Sequence, residues 1–197
     1  MNYDVEMMKI IDKLENRPKL LLHSCCAPCS TTCIERLKDY FDITIIYYNP
    51  NIEPFEEYEK RKKEQIRIIK MYNLNYLDCD YDNNLFHEMS NGLENVPERG
   101  IRCHKCYRLR LEYVCKVAKE KEFDYFGTTL TVSPYKLSKV INEIGYELEN
   151  IYNVKYLPSD FKKQEGYKKS IELSNKYGLY RQNYCGCIYS RKGDINE

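Results

Sequence analysis

Short apolar runs alternate with longer amphipathic stretches along this chain. Five of the runs, such as KLLLHS and ITIIYYN, predict buried strands at 19–24, 43–49, 75–80, 125–128 and 151–157. The stretches between the strands predict helices, of which the first ends near Tyr40 and the others span 53–72, 83–90, 103–122, 136–149 and 164–177. This strand–helix alternation predicts a three-layer α/β fold with a mostly parallel, Rossmann-like sheet.

Length and charge narrow the class of protein. A chain of 197 residues suits one full-sized core, so a single domain over 1–197 is expected. The sequence contains no apolar run long enough to cross a bilayer and no signal-peptide pattern, so we expect a cytoplasmic protein without a membrane partner. The net charge of +1 does not indicate a nucleic-acid partner, and the KRKK run at 60–63 is typical of a solvated helix face.

The ten cysteines change this picture most. In a reducing compartment thiols stay reduced, which favours metal binding or redox chemistry over a disulfide framework. Three separated groups contain seven of the cysteines: Cys25, Cys26 and Cys29, then Cys103 and Cys106, then Cys185 and Cys187. The first group directly follows the first predicted strand, and parallel sheets place their ligand sites at the carboxyl ends of strands.

The second and third groups have spacings suited to thiolate ligands. Cys103 and Cys106 lie three residues apart at a predicted helix start, so both thiols can face one metal. Gly186 lets the backbone turn tightly between Cys185 and Cys187, which forms a compact pair of thiolates. Seven thiols exceed the four that one zinc ion or one [4Fe–4S] cluster takes, so two metal centres sharing a site are predicted.

The first group leaves alternatives open. Cys26 and Cys29 form a C-x-x-C pair like that of thioredoxin-like enzymes, but a dithiol enzyme does not need the other cysteines. The side chains of the adjacent Cys25 and Cys26 are expected to diverge and to serve two neighbouring metals. The remaining cysteines are predicted to pack as small buried apolar residues, namely Cys33, Cys79 and Cys115.

Four motifs lie between 19 and 192: LLLHSCCAPCS, RCHKCYRLRLE, FGTTLTVSPYK and NYCGCIYSRKG. In their order and spacing, the sequence resembles the QueH family of epoxyqueuosine reductases. The resemblance implies a fold related to the adenine-nucleotide α-hydrolase and tRNA-thiolase group. HSCCAPCS stands where that group has its glycine-rich phosphate loop, so ATP use is not expected. The implied reaction is the last step of queuosine biosynthesis, the two-electron removal of the epoxide oxygen from epoxyqueuosine at the tRNA wobble position.

The resemblance also implies cofactors and partners. It implies a [4Fe–4S] cluster beside a mononuclear iron, held by the seven grouped thiols, without cobalamin. One of Cys25 and Cys26 is expected to join Cys103, Cys106 and one C-x-C thiol on the cluster, and the other thiols, including Cys29, to hold the iron. The metal centre itself is expected to carry the chemistry. A ferredoxin-like electron donor and a tRNA carrying epoxyqueuosine are the expected partners.

Basic residues near the cysteine motifs are expected to face the tRNA: Arg99, Arg102, Lys105, Arg108, Arg110, Arg191 and Lys192. Three other side chains near the motifs are acids by position only, and a structural role is expected for each of them: His23, His104 and Tyr107. Two rival functions stay open. One is an iron–sulfur tRNA sulfur-transfer enzyme of the same fold, and the other is a zinc-binding module.

Overall fold

The computed structural model describes residues 1–191 and is built on a five-stranded, entirely parallel sheet. The strands are β1 (Lys19–His23), β2 (Asp42–Ile46), β3 (Asn75–Leu77), β4 (Tyr125–Thr128) and β5 (Lys155–Tyr156). Their order is β3-β2-β1-β4-β5, so the direction of winding changes between β1 and β4. In doubly wound sheets ligands bind outside the carboxyl ends of the strands at this switch point.

Helices cover both faces of the sheet. They are α1 (Tyr3–Ile11), α2 (Ala27–Leu37), α3 (Phe55–Met71), α4 (Asn84–Ser90), α5 (Ile101–Glu120), α6 (Ser138–Tyr152) and α7 (Gly166–Lys176). Leu20 and Leu22 of β1 pack into one core with α1, α2 and α3, whereas Leu21 packs into the opposite core with α5 and α6. Side chains of a strand alternate between faces, so a strand buried on both faces is apolar throughout. The predicted three-layer α/β fold is confirmed.

Several element boundaries differ from the prediction, and β2 and β3 end at Ile46 and Leu77, before the predicted ends at 49 and 80. Helix α1 was not predicted, although it buries Met7 and Ile11 against the core. The predicted strand at 151–157 begins too early, because α6 continues to Tyr152 and ends where Asn153 adopts a left-handed conformation, with φ of 55°. Asparagine tolerates this conformation and often ends helices, so the strand is confined to Lys155–Tyr156. None of the helices within residues 1–191 combines the length and apolar character needed to span a membrane.

Candidate metal centre

The first cysteine group lies at the switch point between β1 and β4. The last residues of these strands, His23 and Thr128, are paired in register, so the loops that follow them are neighbours. The Cys25 backbone N–H donates to Thr129 Oγ1 at 3.1 Å, and the Thr129 hydroxyl donates to Cys25 Sγ at 3.4 Å. Helix α2 begins directly after Cys26, which places Cys29 in its first turn. The loop is therefore fixed on both sides of the thiols.

The three thiols of this loop converge. The Sγ atoms of Cys25 and Cys26 are 3.8 Å apart, and those of Cys25, Cys26 and Cys29 all lie within 4.8 Å of one another. The expectation that the adjacent side chains diverge is wrong. Cys26 is extended, with φ of −172° and ψ of 158°, and it occupies the N-cap position of α2. The three side chains can share a single metal ion.

The other predicted ligands line a second, narrower cavity beside the first. The first cavity has a volume of about 470 Å³, and Cys25, Cys26, Cys29 and Cys185 line it. The narrower cavity is lined by four thiols, Cys103, Cys106, Cys185 and Cys187. Cys185, Arg110 and Lys136 line both cavities. The fold thus brings the seven predicted thiols, which span more than 160 positions of sequence, to two cavities that share lining residues. Among the described residues, only Cys25, Cys26 and Cys29 have ligand atoms close enough together to hold one metal ion.

Two cations accompany the thiols. Arg110 is 2% exposed, donates to Asn49 Oδ1, and has an Nε without a partner among the described residues. Lys136 Nζ donates to Cys185 Sγ at 3.0 Å. Burial raises the pKa of Cys185, but Lys136 and Arg110 lower it more, so the net shift is downward. The two cations therefore favour the thiolate of Cys185, the form that binds metal, whereas burial raises the pKa of Cys103, Cys106 and Cys187.

Hydrogen bonding also divides the protons among the thiols of the first group. Hydrogen bonds from Cys26 and Cys29 lower the pKa of Cys25 well below its usual value. The hydrogen bond to Cys25 in turn raises the pKa of Cys26 to about 12. One thiolate is thus favoured while the other two thiols keep their protons. Because ligands must lose their protons, metal binding to this group releases protons.

Two of the three side chains that are acids by position, His23 and Tyr107, are buried, and Tyr107 also lines the narrower thiol cavity. His23 is fully buried, with Nδ1 2.8 Å from Thr128 Oγ1 and Nε2 2.9 Å from the carbonyl oxygen of Tyr48. A carbonyl only accepts, so Nε2 carries the proton. Burial, followed by the charge of Arg110, lowers the pKa of His23 to about 3, so the ring is neutral and joins β1 to its neighbours. Tyr107 is 4% exposed, and burial raises its pKa.

Three cysteines lie outside the groups, and two of them are fully buried. Cys33 and Cys115 are 0% exposed, as predicted. Cys79 is half-buried, and its thiol donates to the carbonyl oxygen of Tyr47 at 3.4 Å. None of the three lines either thiol cavity. These three cysteines therefore lie outside the candidate site.

Two of the basic residues predicted to face tRNA are buried. Arg102 is 3% exposed and donates to the carbonyl oxygens of three loop residues, Leu93, Glu94 and Val96, at 2.6–3.0 Å. Arg110 lies among the thiols. The prediction that Arg102 and Arg110 face the tRNA at the surface is therefore wrong. The number of basic residues in a helix does not indicate which of its faces packs against the core. The other described members lie at the surface or partly exposed, namely Arg99, Lys105, Arg108 and Arg191, and Lys192 lies outside the described residues.

Sequence reasoning missed the partners of the thiols. Thr129 and Lys136 come from the loop after β4, within FGTTLTVSPYK. The position of this loop, next to the loop after β1 at the switch point, was the available signal. Glu98 and Tyr135 line both cavities and were also missed. No spacing rule connects these two residues to the cysteines.

Fold and site together define an α/β protein with a five-stranded parallel sheet and a cysteine-lined candidate metal site at its switch point. The U34-tRNA thiolase NcsA from Methanococcus maripaludis, solved with its [4Fe–4S] cluster, is similar with a TM-score of 0.58 at 15% identity, over 95% of this chain and 67% of that one. A predicted tRNA methyltransferase subunit from Methanocaldococcus jannaschii gives 0.53 at 15% identity, over 81% and 74%. At these identities the likeness shows the fold alone.

Sequence comparison names the family. Residues 20–193 match the family described as epoxyqueuosine reductase QueH. The chain is 48% identical to the epoxyqueuosine reductase QueH of Staphylococcus epidermidis, over 96% of this chain and 84% of the relative. It is 34% identical to that of Thermotoga maritima, over 87% and 89%. The chain belongs to the QueH family.

Proposed function

We propose that this protein reduces epoxyqueuosine to queuosine at the wobble position of tRNA, as the last step of queuosine biosynthesis. The reaction removes the epoxide oxygen as water and leaves an alkene, so it consumes two electrons and two protons. The observation that carries the proposal is the placement of seven thiols around two cavities that share Cys185, in a QueH chain. The proposal includes an iron–sulfur centre and no requirement for cobalamin.

The donor set fits iron. Soft thiolates select iron–sulfur clusters and zinc, and a site with only four of them suffices for either. Seven thiols, with Arg110 and Lys136 to offset their charge, fit a [4Fe–4S] cluster and an adjacent mononuclear iron. When bound, such a pair supplies electrons and a Lewis acid for the epoxide oxygen.

The distances between the thiols support a division of the ligands between the mononuclear iron and the cluster. Thiolates around one tetrahedral ion at about 2.3 Å stand about 3.8 Å apart. The separation of 3.8 Å between Cys25 and Cys26 matches a single ion, so we assign these two thiols and Cys29 to the mononuclear iron. The cluster is then assigned to the other four thiols, namely Cys103, Cys106, Cys185 and Cys187. This division differs from the one expected at the level of sequence, which placed either Cys25 or Cys26 on the cluster.

The larger cavity suits the modified base. Its volume of about 470 Å³ lies within the range of about 300–1,000 Å³ that is usual for small-molecule sites. Aromatic and polar side chains line it above the first thiol group, including Tyr135, Tyr167, Tyr184, Gln182 and Asn183. Reaching a base of the anticodon loop requires that the base be splayed out of the loop, and aromatic side chains then stack on it.

The exposed basic residues support a tRNA surface beside this cavity. Lys105 and Arg99 are exposed near the start of α5, which also carries two of the thiols. Arg108 is partly exposed and pairs with Glu147 at 2.6 Å, so binding a phosphate requires it to leave that carboxylate. We propose that these residues and Arg191 contact tRNA phosphates.

The test is an anaerobic assay of the iron-loaded protein. Epoxyqueuosine-containing tRNA is incubated with a chemical reductant or a ferredoxin, with and without cobalamin, and its nucleosides are measured by mass spectrometry. We expect queuosine to form without cobalamin, and more than four iron atoms with about four sulfides per chain. Stoichiometric zinc without sulfide favours the zinc module, and sulfur incorporation into tRNA favours the sulfur-transfer enzyme. Either result contradicts the proposal.

The division of thiols has its own test. Cys29→Ser is expected to lose about one iron while sulfide is retained, whereas Cys187→Ser is expected to lose most of the sulfide together with the iron. Iron and sulfide analysis after anaerobic reconstitution separates the two outcomes. Equal loss of sulfide in both variants contradicts the assignment.

A further inference from the structure

One residue of the KRKK run is buried. Lys60 and Lys63 of α3 are exposed, and Lys62 pairs with Asp78 at 2.7 Å, as a solvated helix face requires. Arg61 is 2% exposed. A buried guanidinium needs both a compensating charge and hydrogen-bond acceptors, since an unpaired buried charge is strongly unfavourable.

The partners of Arg61 lie in the segment that carries the third cysteine group. Its Nη1 donates to the carbonyl oxygen of Cys185 at 3.1 Å, and its Nη2 lies 3.4 Å from the carbonyl oxygen of Tyr184. The guanidinium is 4.9 Å from the centroid of the Tyr184 ring. Its Nε donates to Glu57 Oε1, one helical turn earlier, at 2.7 Å. Arg61 thus connects α3 directly to the backbone beside a predicted ligand.

Further contacts hold the same segment on α3 and the loop before it. The Glu53 backbone N–H donates to the carbonyl oxygen of Gly186 at 2.9 Å, and the Tyr184 hydroxyl donates to the carbonyl oxygen of Glu53 at 2.7 Å. The Tyr180 hydroxyl donates to the Glu57 carboxylate that also pairs with Arg61. The segment 180–187 lies in no helix or strand, so these bonds replace the regular backbone hydrogen bonds that it lacks.

We propose that Arg61 is a positioning residue that fixes the Cys185-Gly186-Cys187 backbone at the metal centre. The inference rests on the proposed role of these two thiols as metal ligands. The guanidinium has five N–H donors in a planar fork, so one side chain can hold a carboxylate and two carbonyl oxygens at once. A lysine at the same place offers a single ammonium group on a flexible stem. Arg61 therefore sets where two thiols point without touching metal or substrate.

The experiment measures the position of the thiols in metal-free protein. Alkylation rates of individual cysteines are followed by peptide mass spectrometry for wild type, Arg61→Gln and Arg61→Lys, with Lys63→Gln as the matched control from the same run. We expect at least a tenfold faster modification of Cys185 and Cys187 in both Arg61 variants, with Cys103 unchanged as an internal reference. After anaerobic reconstitution, the iron content of these variants is expected to fall to half of the wild-type value or less. Lys63→Gln is expected to match wild type in both measurements.

The proposal is overturned if Cys185 and Cys187 of the Arg61 variants are alkylated at the same rates as in wild type. It is also overturned if Lys63→Gln raises these rates as much as the Arg61 variants do. Circular dichroism identifies a variant that does not fold. If Arg61→Gln is unfolded, the comparison is made with Arg61→Lys, which keeps the charge but lacks the fork. Because alkylation is measured without metal, its result holds even if wild type binds no iron, an outcome that contradicts the proposed function alone.

Discussion

Adding a single carbon at Gly186, by substitution with alanine, tests the geometry of the Cys185 and Cys187 thiols. Its φ of +124° is strained for residues with a side chain. A Cβ there lies 2.8 Å from Ile52 Cγ1 and 3.1 Å from Arg61 Nη1. Carbon atoms prefer separations of about 3.5–4.0 Å, so Gly186→Ala requires the backbone to move by roughly 1 Å or the neighbours to give way.

The size of the effect follows from these contacts. The backbone strain costs about 1–3 kcal/mol, which lowers the melting temperature by about 2–12 °C in a chain of this size. Metal–ligand distances tolerate only about 0.2 Å of error. A shift of roughly 1 Å between Cys185 and Cys187 therefore exceeds what metal binding tolerates. We expect Gly186→Ala to fold and to lose most of its iron and sulfide.

Gly92→Ala is the matched control. Gly92 also has a positive φ, of +74°, but a Cβ there meets no atom within 4 Å. This variant bears only the cost of a left-handed alanine, about 1–2 kcal/mol, and is expected to bind iron as wild type does. Melting curves of the metal-free proteins are compared with iron and sulfide analysis after anaerobic reconstitution. Wild-type iron content in Gly186→Ala, or equal loss in Gly92→Ala, refutes the reasoning.

Three further predictions concern the thiols and the tRNA surface. Cys106→Ser is expected to lose iron and sulfide, because it removes a thiolate ligand. Cys115→Ser on the same helix is expected to keep both and to lose about 1–3 kcal/mol of stability, because its hydroxyl is buried. Identical iron contents in the two variants contradict this prediction. Lys136→Met removes a charge that lowers the pKa of Cys185, so the alkylation rate of that thiol in metal-free protein should reach its midpoint at a higher pH; an unchanged midpoint contradicts it. Lys105→Glu is expected to raise the KM for tRNA and to reduce, by roughly one unit, the slope of log affinity against log salt concentration. Kinetics at several salt concentrations test this, and no change in either quantity contradicts it.

The apolar and cysteine patterns were sufficient for the architecture and the ligand candidates. KLLLHS predicts a buried strand because apolar residues at consecutive positions suit a strand covered on both faces. The spacing of Cys103 and Cys106 places both near the start of one helix, and both line the narrower cavity. These features are local, since strand and helix periods are set by the residues of the element itself.

The tertiary structure decided which charged residues face water and which thiols meet. Arg61 and Lys63 belong to one basic run, and Arg110 belongs to the motif used to predict the tRNA surface, yet both arginines are buried. Cys25 is held by Thr129 of the loop after β4, more than 100 positions away in sequence. Burial of a charge and direction of a loop depend on distant segments that cover them. The local sequence gives composition and period, whereas these contacts form only when the sheet brings its carboxyl ends together.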